Sequence, residues 1–274
     1  MTTLPLNEIL MLLAALTGAG LVGGLIAGLF GVGGGTVIVP ALFYAFSVLG
    51  LGGEANLHTA IGTSLLTIVA TSWRSLRAHR SHGAVDEVVL RTWTPWVAFG
   101  GLVGAAVAGI TSMEGLAIVY GTCVLVVAIQ MGLLPERVVL RPDMPTGWVR
   151  RVVATLIGLL SAMMGIGGGS FGGMTMTLCG RPIHQAVATA SGFGLAIGAA
   201  ASLGFVVFGW DAPGRPPFSL GYVNVPAALV MGLLTTFVAP YGARLAHSLD
   251  RRVLRRAFAV YLLVTGASVV LKAL

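Results

Sequence analysis

The run Gly31-Val32-Gly33-Gly34-Gly35-Thr36 returns as Gly165-Ile166-Gly167-Gly168-Gly169-Ser170 after 134 positions. In each copy, three glycines and a hydroxyl residue open an apolar stretch. A helix starting there aims unpaired backbone N–H groups and the positive end of its dipole at whatever lies ahead. Such an end attracts an anion without a cationic side chain. Hydroxyls at Thr36, Ser170, Thr63, Ser64, Thr189 and Ser191 add neutral donors, and no Lys or Arg falls in the apolar core, which suits weak binding and release. The candidate anion-contacting set is therefore Gly33, Gly34, Gly35, Thr36, His58, Thr63 and Ser64 from the first half, with Gly167, Gly168, Gly169, Ser170, His184, Thr189 and Ser191 from the second. His58 and His184 open their segments, where an interfacial or capping role weighs as much as a proton-linked gate or lure for an anion. The glycine runs are not phosphate fingerprints. They lack the GK[ST] ending of a P-loop, and Thr36 breaks GxGxxG. No paired carboxylates, Ser/His/Asp set or metal-ligand cluster falls within the apolar segments, so the expectation is a non-enzyme without a cofactor.

The elements that must hold these residues follow from composition. Of 274 residues, 56% are hydrophobic, 9% charged and 40 are glycine, which excludes a soluble domain with its roughly 25% charged residues. The net charge of +7 comes from arginines clustered between apolar runs, a topology signal and not a nucleic-acid surface. Crossing roughly 30 Å of hydrocarbon takes about 20 residues. Ten candidate segments emerge, near 8–30, 36–51, 57–73, 92–111, 115–134, 151–164, 170–180, 184–208, 222–243 and 257–273. Residues 151–164 and 170–180, about 21 and 17 Å as helices, are too short to cross singly and are expected to form a re-entrant hairpin.

The repetition extends beyond the glycines. His58-Thr59-Ala60-Ile61-Gly62-Thr63 is matched by His184-Gln185-Ala186-Val187-Ala188-Thr189, and Gly83-Ala84-Val85-Asp86 by Gly221-Tyr222-Val223-Asn224. The expected fold is an all-α polytopic membrane protein of two repeats, about five segments each, with a Gly-rich re-entrant hairpin in each. The first covers 1–135, a cytoplasmic linker 136–150 and the second 151–274. Three arginine clusters fix the orientation: Arg74, Arg77 and Arg80; Arg137, Arg141, Arg150 and Arg151; and Arg244, Arg251, Arg252, Arg255 and Arg256. All three stay in the cytoplasm only if each glycine-rich pair returns to its starting side. Both termini then lie outside and the halves are inverted. Inverted repeats with glycine-interrupted short segments point to a transporter site near the bilayer midplane. Simple helix packing explains Gly20/Gly24/Gly28, Gly100/Gly104/Ala108 and Gly194/Gly198/Ser202, which fit small-xxx-small spacing. The two tips interrupt short segments and are duplicated, which favours a site.

The runs Gly28-Leu29-Phe30-Gly31-Val32-Gly33-Gly34-Gly35 and Met164-Gly165-Ile166-Gly167-Gly168-Gly169, the HxAxxT pair, and Pro240-Tyr241-Gly242-Ala243-Arg244-Leu245-Ala246 together resemble the sulfite exporter TauE/SafE family of membrane permeases. The resemblance covers nearly the whole chain. It implies movement of small anions, chiefly sulfite, thiosulfate and C2 sulfonates such as sulfoacetate, across a bacterial plasma membrane. The first reading is a secondary transporter working by alternating access. The alternatives are a passive small-anion channel and a membrane assembly protein without transport. The expected partners are the small anionic substrate and the lipid bilayer, with no nucleic acid; a coupling proton or sodium ion and a homodimer stay open.

Overall fold

A computed structural model describes residues 6–30, 34–51, 53–133, 139–247 and 251–273. Ten α-helices follow one another: α1 (Leu6–Phe30), α2 (Gly35–Val48), α3 (Asn56–Ser81), α4 (Glu87–Ile110), α5 (Met113–Leu133), α6 (Gly147–Met164), α7 (Gly169–Leu178), α8 (Ile183–Phe208), α9 (Val225–His247) and α10 (Arg251–Ala273). Each apolar run of the sequence corresponds to one of them. A 3-10 turn at Gly53–Ala55 precedes α3, and a two-stranded antiparallel ribbon, β1 (Ser219–Leu220) with β2 (Val223–Asn224), leads into α9. Strands of two residues carry no readable periodicity, so the ribbon was not expected.

Helices α4, α5, α6, α8, α9 and α10 each contain a stretch long and apolar enough to cross a membrane. Their lipid-side residues are large and apolar: Phe99, Ile129, Leu203, Phe237 and Val264 are all exposed. Exposed apolar residues in such number have no place on a water-soluble surface. The chain is a multi-pass, all-α membrane protein.

One expectation needs correction. The sequence bounds the segment at 151–164, too short to cross alone, but α6 starts at Gly147 and runs 18 residues, about 27 Å. Its added turn, from Gly147 to Arg150, carries a charge at which a hydropathy reading stops and a helix does not. The Arg151 guanidinium lies over the Trp96 ring at 5.1 Å, so the charge stays near the helix end while its stem covers apolar surface. Of the two segments, α7, with 10 residues and about 15 Å, stays too short to cross, as does α2 with its 14 residues.

The chain reverses between α6 and α7. Gly165 takes the left-handed conformation (φ 65°), and the Ile166 N–H returns to the Ser161 carbonyl at 2.9 Å, closing α6. A residue with a Cβ is strained there. At the far end of α7, the Leu178 carbonyl accepts from the N–H groups of Leu140 and Arg141, at 2.9 and 3.2 Å. Those residues precede α6, so α7 ends beside the segment from which α6 departs.

Packing is organised around α3 and α8, which cross at the centre. Helix α1 lies along α9, α4 along α6 and α8, and α5 along α10. Exchange of the halves maps α1/α9 onto α6/α4 and α3/α8 and α5/α10 onto themselves. Small residues make these crossings close. A methyl on Gly24 would stand 2.9 Å from the Thr235 Cα, and one on Gly104 would be 3.0 Å from both the Leu159 Cα and the Ala162 Cβ. At the α3–α8 crossing, a methyl on Gly198 would stand 2.9 Å from the Leu65 carbonyl oxygen.

Candidate functional site

Two threonines of the HxAxxT repeat tie the halves together by the same bond. The Asn224 backbone N–H donates to the Thr63 hydroxyl at 2.9 Å, and the Asp86 N–H to the Thr189 hydroxyl at 2.9 Å. Asn224 and Asp86 then cap α9 and α4 respectively: Asn224 Oδ1 accepts from the Ala227 N–H, and Asp86 Oδ1 from the Val89 N–H, both at 3.0 Å. Each copy of HxAxxT thus supports the helix start of the opposite half. These bonds lie at opposite ends of the bundle, one by the β1–β2 ribbon and the other by the loop after α3. At the second end Arg181 lies 3.6 Å from the Asp86 carboxylate, a contact the neutral Asn224 has no use for.

The glycine tips meet between these ends. Gly35 is buried against the Gly165 carbonyl and the Ile166 Cα, leaving no room for a side chain. From α3, the Ser64 hydroxyl donates to that Gly165 carbonyl at 2.8 Å. Gly167 lies against Ile68 and Gly194, and Gly168 is wedged on Phe193 of α8. Helices α2 and α7 therefore begin at the contact between the halves. Gly34 and Gly168 are their N-cap residues, and neither offers a side chain to the first-turn N–H groups. The Gly34 carbonyl accepts from the Val37 and Ile38 N–H groups, at 3.1 and 2.8 Å.

Two hydroxyls stand at these helix starts without partners among the described residues. Thr36 is 1% exposed and its Oγ1 has no hydrogen bond; Ser170, at the equivalent position, has a buried Oγ that also has none. A buried hydroxyl left unpaired costs about 1–3 kcal/mol, so a pair of them at one repeated position calls for a physical reason. Gly169, beside Ser170, is exposed, so the tip of α7 is open on one side.

The other candidate positions are placed as follows. His58 is buried, its Nε2 lies 3.0 Å from both the Ala108 and Thr111 carbonyls, and its ring stacks on Tyr222 at 4.8 Å. The ring therefore ties the start of α3 to the last carbonyls of α4. Burial raises the pKa of the Tyr222 phenol above its ordinary value, with Arg215 pulling the other way. His184 is exposed on the first turn of α8, at the opposite end of the bundle. The two histidines do not come together. The Ser191 hydroxyl donates to its own helix, to the Ala188 carbonyl at 2.6 Å. Gly33 lies outside the described residues.

Two further residues share the properties of Thr36. Ser161, on the last turn of α6 before Gly165, and Thr59, on the first turn of α3, are both fully buried with unpartnered hydroxyls among the described residues. Repetition could not find them, because their counterparts are Ala27 and Gln185. Among the described residues no three His, Cys, Asp or Glu side chains gather as metal ligands would. Two grooves lie on lipid-facing flanks of α3, lined by none of the tip residues.

Comparisons with known proteins agree on one group. The family model described as "Sulfite exporter TauE/SafE" matches residues 16–269. A protein of Haemophilus influenzae named "Probable membrane transporter protein" is 32% identical, over 96% of this chain and 98% of its own. Proteins with the same kind of name from Methanocaldococcus jannaschii and Bacillus subtilis are each 24% identical, over 90% and 92% of this chain and 91% and 94% of theirs. No solved structure matches. These names describe membrane transporters and not enzymes, and with its family match spanning nearly the whole sequence, the chain belongs to the sulfite exporter TauE/SafE family.

Proposed function

We propose that the protein is a secondary transporter for a small sulfur-containing anion, such as sulfite, thiosulfate or a C2 sulfonate, bound where the glycine tips meet. The observation that carries this reading is the pair Thr36 and Ser170, buried unpartnered hydroxyls on the first turns of α2 and α7. An oxyanion at that point accepts from both hydroxyls and from the free first-turn N–H groups, with both helix dipoles favouring it. Neutral donors alone bind an anion loosely enough to release it on the other side. Ser161 and Thr59 add donors on neighbouring helices.

The halves act as inverted repeats, 1–135 and 151–274, that rock about the tips to open the site to one side and then the other. The exchanged Thr63–Asn224 and Thr189–Asp86 bonds support this reading, since each lies at one end of the bundle and joins the two halves there. The arginine-rich end faces the cytoplasm of a bacterial cell, with both termini outside. The test is uptake of labelled sulfite, thiosulfate, sulfoacetate and an acetate control into proteoliposomes, with and without pH and sodium gradients. Saturable uptake of a sulfur anion, accelerated by one gradient, is expected. Unsaturable flux indifferent to gradients identifies a channel instead, and no flux of any sulfur anion overturns the substrate class.

A further inference from the structure

Two grooves run along the lipid side of α3 and share Trp73 and Leu195 as a common ridge. The first, about 630 Å³, lies between α3 and α9 and is lined by Leu66, Val69, Leu229, Leu233 and Phe237, with Arg74 at its edge. The second, about 490 Å³, lies between α3, α4 and α8 and is lined by Leu76, Leu90, Pro95 and Ala199, with Arg80 and Arg91 at its edge. The walls of the first are almost wholly apolar, and those of the second mostly so, with Thr94 and the arginines as its polar groups. Trp73, Leu229, Leu233 and Phe237 are all more than half exposed, so these surfaces face hydrocarbon. From Val225 to Phe237 the first groove follows α9 for about 18 Å, the scale of an extended acyl chain in one leaflet.

The charges beside the grooves are not balanced by the protein. Arg80 is neutralised by a two-point contact with Glu87, at 2.7 and 3.0 Å. Arg74 and Arg91 have no hydrogen bond or ion pair among the described residues, and Arg91 has only the field of the already paired Glu87. Both side chains are exposed, Arg74 on the first groove and Arg91 on the second, with Trp73 lining both. Apolar furrows with cations at the arginine-rich end suit a lipid with two chains and a negative head. We propose that this face binds one anionic diacyl phospholipid, with an acyl chain in each groove astride Trp73 and its phosphate held between Arg74 and Arg91. Trp73 serves as the amphipathic ridge at the interface.

The inference is independent of the transport site and of the substrate. Its test is native mass spectrometry of the detergent-purified protein, titrated with phosphatidylglycerol and with phosphatidylcholine of the same chains. One phosphatidylglycerol is expected to be retained, with a preference on the order of tenfold or more over phosphatidylcholine. In the Arg74→Gln/Arg91→Gln variant that preference falls to near unity, whereas Arg77→Gln, an exposed arginine outside both grooves, keeps it. Trp73→Ala weakens retention of both lipids. Gel filtration and melting curves establish that each variant is folded before titration. Equal retention of the two lipids, or an undiminished preference in the double arginine variant, overturns the proposal. So does stabilisation by soluble glycerol phosphate equal to that by the lipid, which would leave the grooves without a role. A lipid-free dimer occluding this face would also overturn it.

Discussion

At the residue scale, an unpaired buried hydroxyl lowers stability and persists where something else needs it. Thr36→Val keeps the shape at that position and removes the orphaned polar atom, and Ser170→Ala does the same on the other tip. Both variants are expected to melt at or slightly above the parent temperature, by up to about 1 kcal/mol each, while transport falls by tenfold or more. A loss of both stability and transport would instead mark these residues as structural. Ser64→Ala has the opposite signature: the buried Gly165 carbonyl loses its donor, and thermal unfolding should report a loss of about 1 kcal/mol. The tip positions were legible because the glycine–hydroxyl pattern is written twice. Ser161 and Thr59 were not, because the repeated positions hold Ala27 and Gln185, neither of which carries a hydroxyl. The sequence also could not reveal that His58 is engaged with the Ala108 and Thr111 carbonyls, since that contact depends on how α3 crosses α4.

At the element scale, the fold depends on helix ends that are completed by the other half. Thr63→Val leaves the N–H of the buried Asn224 without an acceptor, and Thr189→Val does so for Asp86. Each is expected to lower stability by about 1–3 kcal/mol, and denaturant or thermal melts should show losses of similar size. A loss confined to Thr63→Val would show that the two ends are not energetically equivalent. The ten segments were readable because uninterrupted apolar runs leave a helix as the form that satisfies their backbone within lipid. Boundaries were less readable. Helix α6 gains a turn from Gly147 to Arg150, ahead of Arg151, whose long cationic stem lies over the Trp96 ring. The β1–β2 ribbon, with Phe218 at φ 64°, arises from the tight path into α9 and leaves no hydropathy trace.

At the scale of the whole molecule, the packing exchanges the halves while the chemistry at the two ends differs. One end has buried His58, Tyr222 and Asn224; the other has exposed His184 and the Arg181–Asp86 contact. The arginine clusters carry the proposed orientation, whereas this asymmetry became visible only in the packing. With Cys123 and Cys179 replaced, Ala78→Cys and Asp211→Cys, both at exposed positions, are expected to react with an impermeant maleimide from opposite faces of the membrane, 78 from the cytoplasm and 211 from outside. Labelling of both from one face would contradict the inverted arrangement. The central claim is that the anion is held by the two tip hydroxyls and the helix starts behind them. Its most direct test is labelled-sulfite and sulfoacetate uptake by proteoliposomes containing the parent protein or the Thr36→Val/Ser170→Ala variant at matched incorporation. Saturable uptake is expected in the parent and a loss of at least tenfold in the variant, with its melting temperature preserved. Parental uptake in a folded, fully incorporated variant would contradict it.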